Sequence, residues 1–298
     1  MVAAMAVASL PEDFPAFARS AEASERIQFL SGEPDRWRSL PENALRHVND
    51  PDHYCDLEAA ATYNLTPETF PEFRNELIGH IYVDHTLHPE KVSVEDKPDD
   101  AKVYVLFGLL PYAIQEHYLK LKAEFSYLRG MINYGASSND IYQAEQNILY
   151  TMGILSHFAG DGSQPLHLSV HHHGWVGENP EGYSTDRDIH SLIDGGVIEA
   201  GHITHENFIG KIKPASMIPT QVSATGSSSF PVIMSYLAET HRRLVPLYQL
   251  EKDGKLDEDK PSAEGCQFIE DQLLRGGQFL GDLYYSAYKS TAGPPVAP

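Results

Sequence analysis

The chain has 298 residues, enough for one large domain or two small ones, and its 42 acidic and 22 basic side chains give a formal net charge of -20. That balance excludes a general electrostatic grip on nucleic acid or anionic lipid, which Lys and Arg drive, but not a phosphate held through metal ions. Two cysteines, Cys55 and Cys266, exclude a disulfide framework and a four-cysteine zinc site, and each reads as a small buried apolar residue.

The opening "MVAAMAVASL" reads as a helix already in progress, with no capping residue and no charge before Glu12. Phe14, Phe17, Ala18, Ile27 and Leu30 predict a helix over 11–31, closed by Ser31-Gly32. Residues 31–58 are rich in Pro, Asn and Asp and read as a long loop carrying His, Trp and Asp; such loops tend to be functional. Val103, Leu106, Leu110, Ile114, Tyr118, Leu121 and Phe125 predict a helix over 101–130. Asn139 or Asp140 is expected to cap the next helix, which runs through Ile148, Leu149, Met152 and Leu155 into His157.

Residues 168–188 form a second loop of the functional kind, and 213–229, with "TGSSS", reads as a plain surface loop. Two more helices are predicted over 225–250 and 262–290, followed by a disordered tail over 291–298. There is no convincing strand alternation, no internal repeat, and no apolar run near the roughly 20 residues that span a bilayer. The expected fold is all-α, a single-domain helical bundle over residues 1–290.

The stretch "SHFAGDGSQPLH" is more than a helix end. His157 and Asp161 are four residues apart and share a helix face; Pro165 removes a backbone donor, and His167 follows the break. His190 and Asp194 in "HSLID" repeat the His-x-x-x-Asp spacing, while "GEPDRWR" and "DPDHYCDLE" offer Asp35 and His53. Each has a plainer reading alone: His53 or Asp161 as a turn residue, Asp35 as a surface residue near a cap. Together they are four imidazoles and three carboxylates, a donor set that suits zinc. His171, His172 and His173 read as loop residues near the site rather than ligands.

"HFAGDGSQPLH", followed by "HSLID" and preceded by "DRWR" and "HYCD", resembles the zinc-dependent nucleases of the S-one/P-one type, which share a helical fold with bacterial zinc phospholipases C. The resemblance runs from about Leu10 to about Ala200. It implies one zinc on Asp35, His53, His157 and Asp161 and a second on His167, His190 and Asp194. A third would share Asp161 and draw its other ligands from an N-terminal Trp-Gly-x-x-Gly-His element. No Trp or His precedes Trp37, so two zincs are expected here, and a third only if such an element precedes Met1. Residues 1–9 are too short for a secretory signal and lack its basic start; the resemblance implies a secreted or periplasmic protein whose Met1 is internal.

The resemblance also implies that Arg38 contacts the phosphate and that Tyr54 and Asp56 hold a nucleobase, although Tyr54 equally suits core packing. Asn179 of "GWVGENP" stands where the family has a Gly-Gly-Asn element. The function implied is endonucleolytic hydrolysis of single-stranded DNA or RNA, with Asp161 and Arg38 as the catalytic residues beside a metal-activated water. No stable membrane insertion and no protein partner follow from the sequence. The alternatives are a phospholipase C-like phosphodiesterase, whose surface should offer apolar lipid-facing residues, and a non-catalytic zinc-binding relative.

Overall fold

The computed structural model describes residues 1–89, 107–223 and 226–290, and over these the chain is overwhelmingly helical. The first half begins with α1 (Val2–Ala8), α2 (Ala21–Leu30), α3 (Glu33–Arg38), α4 (Asn43–Asn49), α5 (Leu57–Ala61) and α6 (Arg74–Leu87). The long hairpin of α7 (Leu110–Asn133) and α8 (Ser138–Asp161) follows. The short helices α9 (Ile189–Ser191) and α10 (Val197–Ala200) flank a π-helical turn, Leu192–Gly196. Three helices close the described chain: α11 (Phe230–His241), α12 (Leu244–Lys252) and α13 (Ala263–Lys289).

Several boundaries differ from the sequence expectation, each for a local reason. The helix expected over 11–31 begins only at Ala21, where the Ser20 side chain caps it by accepting from Ala23 N–H; Pro11 and Pro15 keep the preceding residues in turns and a 3-10 segment, Ala16–Ala18. Ser137, not Asn139 or Asp140, caps α8 by accepting from Asp140 N–H. The helix expected over 225–250 is split at Arg242-Arg243, because Pro246 has no N–H to give the Arg242 carbonyl. Residues 31–58 form α3, α4, a 3-10 turn (Asp50–His53) and the start of α5, helices too short to show a period. The region read as a surface loop pairs Gln221–Ser223 with Gly226–Ser228 as a small antiparallel ribbon. The start of the helix expected over 101–130, with Val103 and Leu106, and the tail over 291–298 lie outside the described residues.

Two apolar clusters organise the core. The larger collects Ile27 of α2, Leu121 and Phe125 of α7, Ile154 and Leu155 of α8, and Leu280 and Leu283 of α13. The smaller joins Ile189, Ile193 and Val197 to Leu247 of α12 and Ile269 of α13. The 3-10 turn Pro165–Leu168 sits on the seam, with Leu166 in the smaller cluster and Leu168 in the larger. His167, between them, is thereby fixed from both sides.

The segment before α5 is stitched to that turn and to the start of α7. Cys55 N–H donates to the His167 carbonyl at 2.8 Å, Asp56 N–H to Phe107 at 2.7 Å, and Leu110 N–H to the Tyr54 carbonyl at 3.1 Å. Arg74 of α6 adds a clamp, with bidentate contacts to Asp52 (2.6 and 3.3 Å) and to Glu116 (2.9 and 3.0 Å).

α2 and α8 approach most closely at Gly153, where a Cβ would stand 2.3 Å from Leu30 Cβ and 3.2 Å from the Ile27 carbonyl. Gly153→Ala is expected to destabilise the protein by about 1–3 kcal/mol through overpacking. Urea unfolding checks this; an unchanged midpoint would show that the two helices separate freely.

Candidate metal centre

α8 presents His157 and Asp161 one turn apart, with His157 Nε2 3.3 Å from Asp161 Oδ2. The 3-10 turn Asp50–His53 brings in His53, whose Nδ1 lies 2.9 Å from His157 Nε2 and 3.1 Å from Asp161 Oδ2. α3 supplies Asp35, its Oδ1 3.9 Å from both imidazole nitrogens. Donors held at 2.0–2.1 Å by a tetrahedral ion lie about 3.3–3.4 Å apart, inside the range these contacts span. Asp35, His53 and His157 could hold a metal ion, and Asp161 reaches the same point.

His167, His190 and Asp194 form a second group that could hold an ion. His190 Nε2 lies 3.2 Å from His167 Nε2 and 3.1 Å from Asp194 Oδ2, and His167 Nε2 is 4.0 Å from that oxygen. His190 and Asp194 sit on α9 and the π-turn after it, an arrangement that often marks functional positions in helices.

Backbone carbonyls decide which nitrogen each imidazole offers. A carbonyl oxygen only accepts, so the ring nitrogen beside it carries the proton. His157 Nδ1 donates to Ser31 O at 2.8 Å, His167 Nδ1 to His53 O at 2.7 Å, and His190 Nδ1 to His172 O at 3.2 Å. In the neutral rings all three Nε2 lone pairs then face their groups. Two lone pairs opposed at 3.2 Å, as in His167 and His190, repel unless a cation lies between them. The second ring nitrogen of His53, Nε2, is buried without a partner among the described residues.

The electrostatics agree with a cation-seeking site. Burial would raise the Asp161 pKa, yet His157 and His167 hold it well below the usual carboxylate range. Asp161 also lines the same cavity as His167 and Asp194. Burial opposes a charge on His190, but Asp194 outweighs it and raises the pKa; for Asp194, His190 and His167 overcome burial and lower it. For His53, burial prevails and the pKa falls.

Asp35, Asp161, His167 and Asp194 line one cavity of about 300 Å³, which is also lined by Ile193 and Ile198 and by Phe268, Ile269 and Leu273 of α13. No sequence signal tied α13 to the site, because its contact with the cavity is a matter of packing alone. The carbonyl anchors Ser31, His53 and His172 were equally invisible, since any residue type supplies a carbonyl.

The remaining expected residues fall differently. Arg38 Nε pairs with Asp35 Oδ1 at 2.9 Å, so it stands at the first group. Tyr54 is half-buried: its ring packs on Gly108, where a Cβ would come within 2.6 Å of Cδ2, and burial raises its pKa. Asn179 closes its own loop, giving Nδ2 to the Tyr183 carbonyl and accepting from Tyr183 N–H, both at 2.8 Å, and it does not line the cavity. Of the loop histidines, His173 borders the second group, its ring tilted 50° to that of His190 at 5.6 Å, while His171 lies flat on Trp175 at 4.0 Å. Comparison with family models, with curated proteins and with solved structures gives no match.

Asp56 is buried, its Oδ1 has no partner among the described residues, and burial with nearby Glu58 pushes its pKa up to about 8. Burial thus favours the neutral form of its carboxyl. A carboxyl that binds its proton more tightly when folded favours the fold at low pH and loses that contribution as pH climbs from about 4 to about 8. Asp56→Asn should gain on wild type in thermal melts at pH 8.5, by on the order of a few kcal/mol, and much less at pH 5. The same difference at both pH values would count against a buried neutral Asp56.

Proposed function

We propose that the protein is a zinc-dependent phosphodiesterase whose substrate is single-stranded nucleic acid. The observation that carries this reading is the set of carbonyl-anchored imidazoles aiming Nε2 lone pairs into two adjacent carboxylate-bearing groups on one cavity. Imidazole and carboxylate donors in sets of three and four suit zinc better than the all-oxygen shells of magnesium or calcium. Asp35, His53, His157 and Asp161 would hold one ion, and His167, His190 and Asp194 the other. Bound there, zinc ions would supply a nucleophilic water at neutral pH and neutralise phosphoryl charge.

The chain's own residues supply the rest. Two divalent ions outweigh the three carboxylates that hold them, so a phosphate meets a locally positive pocket on a protein of net charge -20. Asp161 stands at the first group on the cavity wall and can orient a water by accepting its proton in a hydrogen bond. Arg38 gives Nε to Asp35 and keeps its Nη groups for a phosphoryl oxygen. A flexible single strand can turn a phosphodiester into such a cavity, whereas a duplex holds its backbone stiff.

A second reading, a lipid phosphodiester, is favoured by one observation: Ile193, Ile198, Phe268, Ile269 and Leu273 line the same cavity as the carboxylates. Single-stranded DNA, RNA, a phosphatidylcholine analogue and an aryl phosphodiester assayed side by side separate the two. The nucleic acids are expected to be cleaved fastest. Preference for the phosphatidylcholine analogue would transfer the assignment to lipid, and ions bound without turnover would make the protein a binding relative.

Elemental analysis should find two zinc ions per chain. His167→Ala is expected to remove one of them and most activity while the helical circular dichroism persists. Full zinc occupancy in that variant would overturn the assignment of the second group. Arg38→Ala should slow all the phosphodiesters that are cleaved, by roughly 10²–10³-fold if it stabilises transition-state charge.

A further inference from the structure

The side-chain amide of Gln164 is engaged at both ends. Its Oε1 accepts from Leu166 N–H at 2.6 Å, and its Nε2 donates to Asp194 Oδ1 at 3.0 Å. The first bond settles the second: the oxygen must face the N–H, so the NH2 must face the carboxylate. Pro165 contributes by pushing the residue before it into an extended conformation, and Gln164 lies at φ -98°, ψ 117°. The Gln-Pro pair thus aims the amide at an aspartate 30 residues further along the chain.

Asp194 needs such a restraint. It sits in a π-turn followed by Gly195 and Gly196, and its side chain is 45% exposed. Left alone, its carboxylate could rotate and offer either oxygen or both. With Oδ1 taken by Gln164, Oδ2 is the oxygen left facing His190 and His167. We propose that Gln164 is the positioning residue of the second metal group, holding Asp194 as a one-oxygen ligand. This rests on the metal reading above and extends it to a side chain that gives the ion nothing directly. A mere cap on the 3-10 turn would need only the oxygen; the amide donor is the part that serves the metal group.

The test measures cobalt(II) and zinc affinity at each group by chelator competition, with cobalt absorption as the spectroscopic readout. Gln164→Leu is expected to weaken the second group 10–100-fold, the usual loss when a partner behind a ligand is removed, and to leave the first unchanged. In an Asp194→Ala background the same change should add nothing, since the two residues act as one unit. Gln164→Glu keeps the acceptor for Leu166 N–H and secures the test if the leucine variant does not fold. It should alter the cobalt spectrum of the second group alone. Wild-type protein that takes up no ion would overturn the metal reading itself. With ions bound to wild type, unchanged affinity, equal weakening of both groups, additive losses, or an unaltered spectrum in Gln164→Glu would each overturn the positioning role.

Discussion

The bond from an imidazole Nδ1–H to a backbone carbonyl is the constraint on which the rest of the site depends. An untethered histidine can present either nitrogen at several ring angles, so three of them seldom point at one place. In this protein Ser31, His53 and His172 each offer a carbonyl at hydrogen-bond distance, and each fixes a tautomer and a ring plane. One of those carbonyls belongs to His53, itself a member of the first group. The two groups are therefore coupled through a single peptide unit, and neither can shift without disturbing the other.

Much of the fold can be understood as holding those carbonyls still. Ser31 closes α2, and α2 is pressed on α8 where Gly153 lets the backbones approach. His53 is held by the Arg74 clamp on Asp52, the residue before it, and by backbone bonds from Cys55 and Leu110 on either side of Tyr54. The His167 turn is pinned between two apolar clusters. Imidazoles and carboxylates brought together without water are expensive to bury, and their lone pairs repel one another. A rigid frame around them keeps the repulsion from being relieved by drifting apart, which is the preorganisation a tightly binding metal site requires.

The surroundings of the cavity bear on what enters it. Asp56 is committed to the interior, while Tyr54, half-buried, packs its ring on Gly108. The apolar wall from the π-turn, α10 and α13 meets the carboxylates directly. Such a wall limits water in the cavity, and this strengthens every charge interaction within. The same wall suits the apolar face of a base or the carbon chain of a lipid.

Local periodicity was enough to determine the helical class, α7 and α8 over their described length, and the pairing of His157 with Asp161 and of His190 with Asp194. Both pairs are four residues apart, a spacing that shares a helix face, although His190 and Asp194 meet across α9 and the π-turn rather than on one α-helix. Helices of five to seven residues, such as α3 to α5, carry too few turns to leave a pattern, and the placement of Asp35 on one of them was hidden. Only tertiary structure decided the rest. The bonds between Ser31 and His157 and between His53 and His167 join residues 126 and 114 positions apart, through carbonyls that no side-chain pattern marks. The packing of Tyr54 on Gly108 and the arrival of α13 at the cavity depend likewise on how distant segments meet. A sequence specifies which donors a chain carries and which neighbours share a turn. Where their lone pairs meet is fixed by packing between segments, whose closure over a hundred residues leaves no local signature.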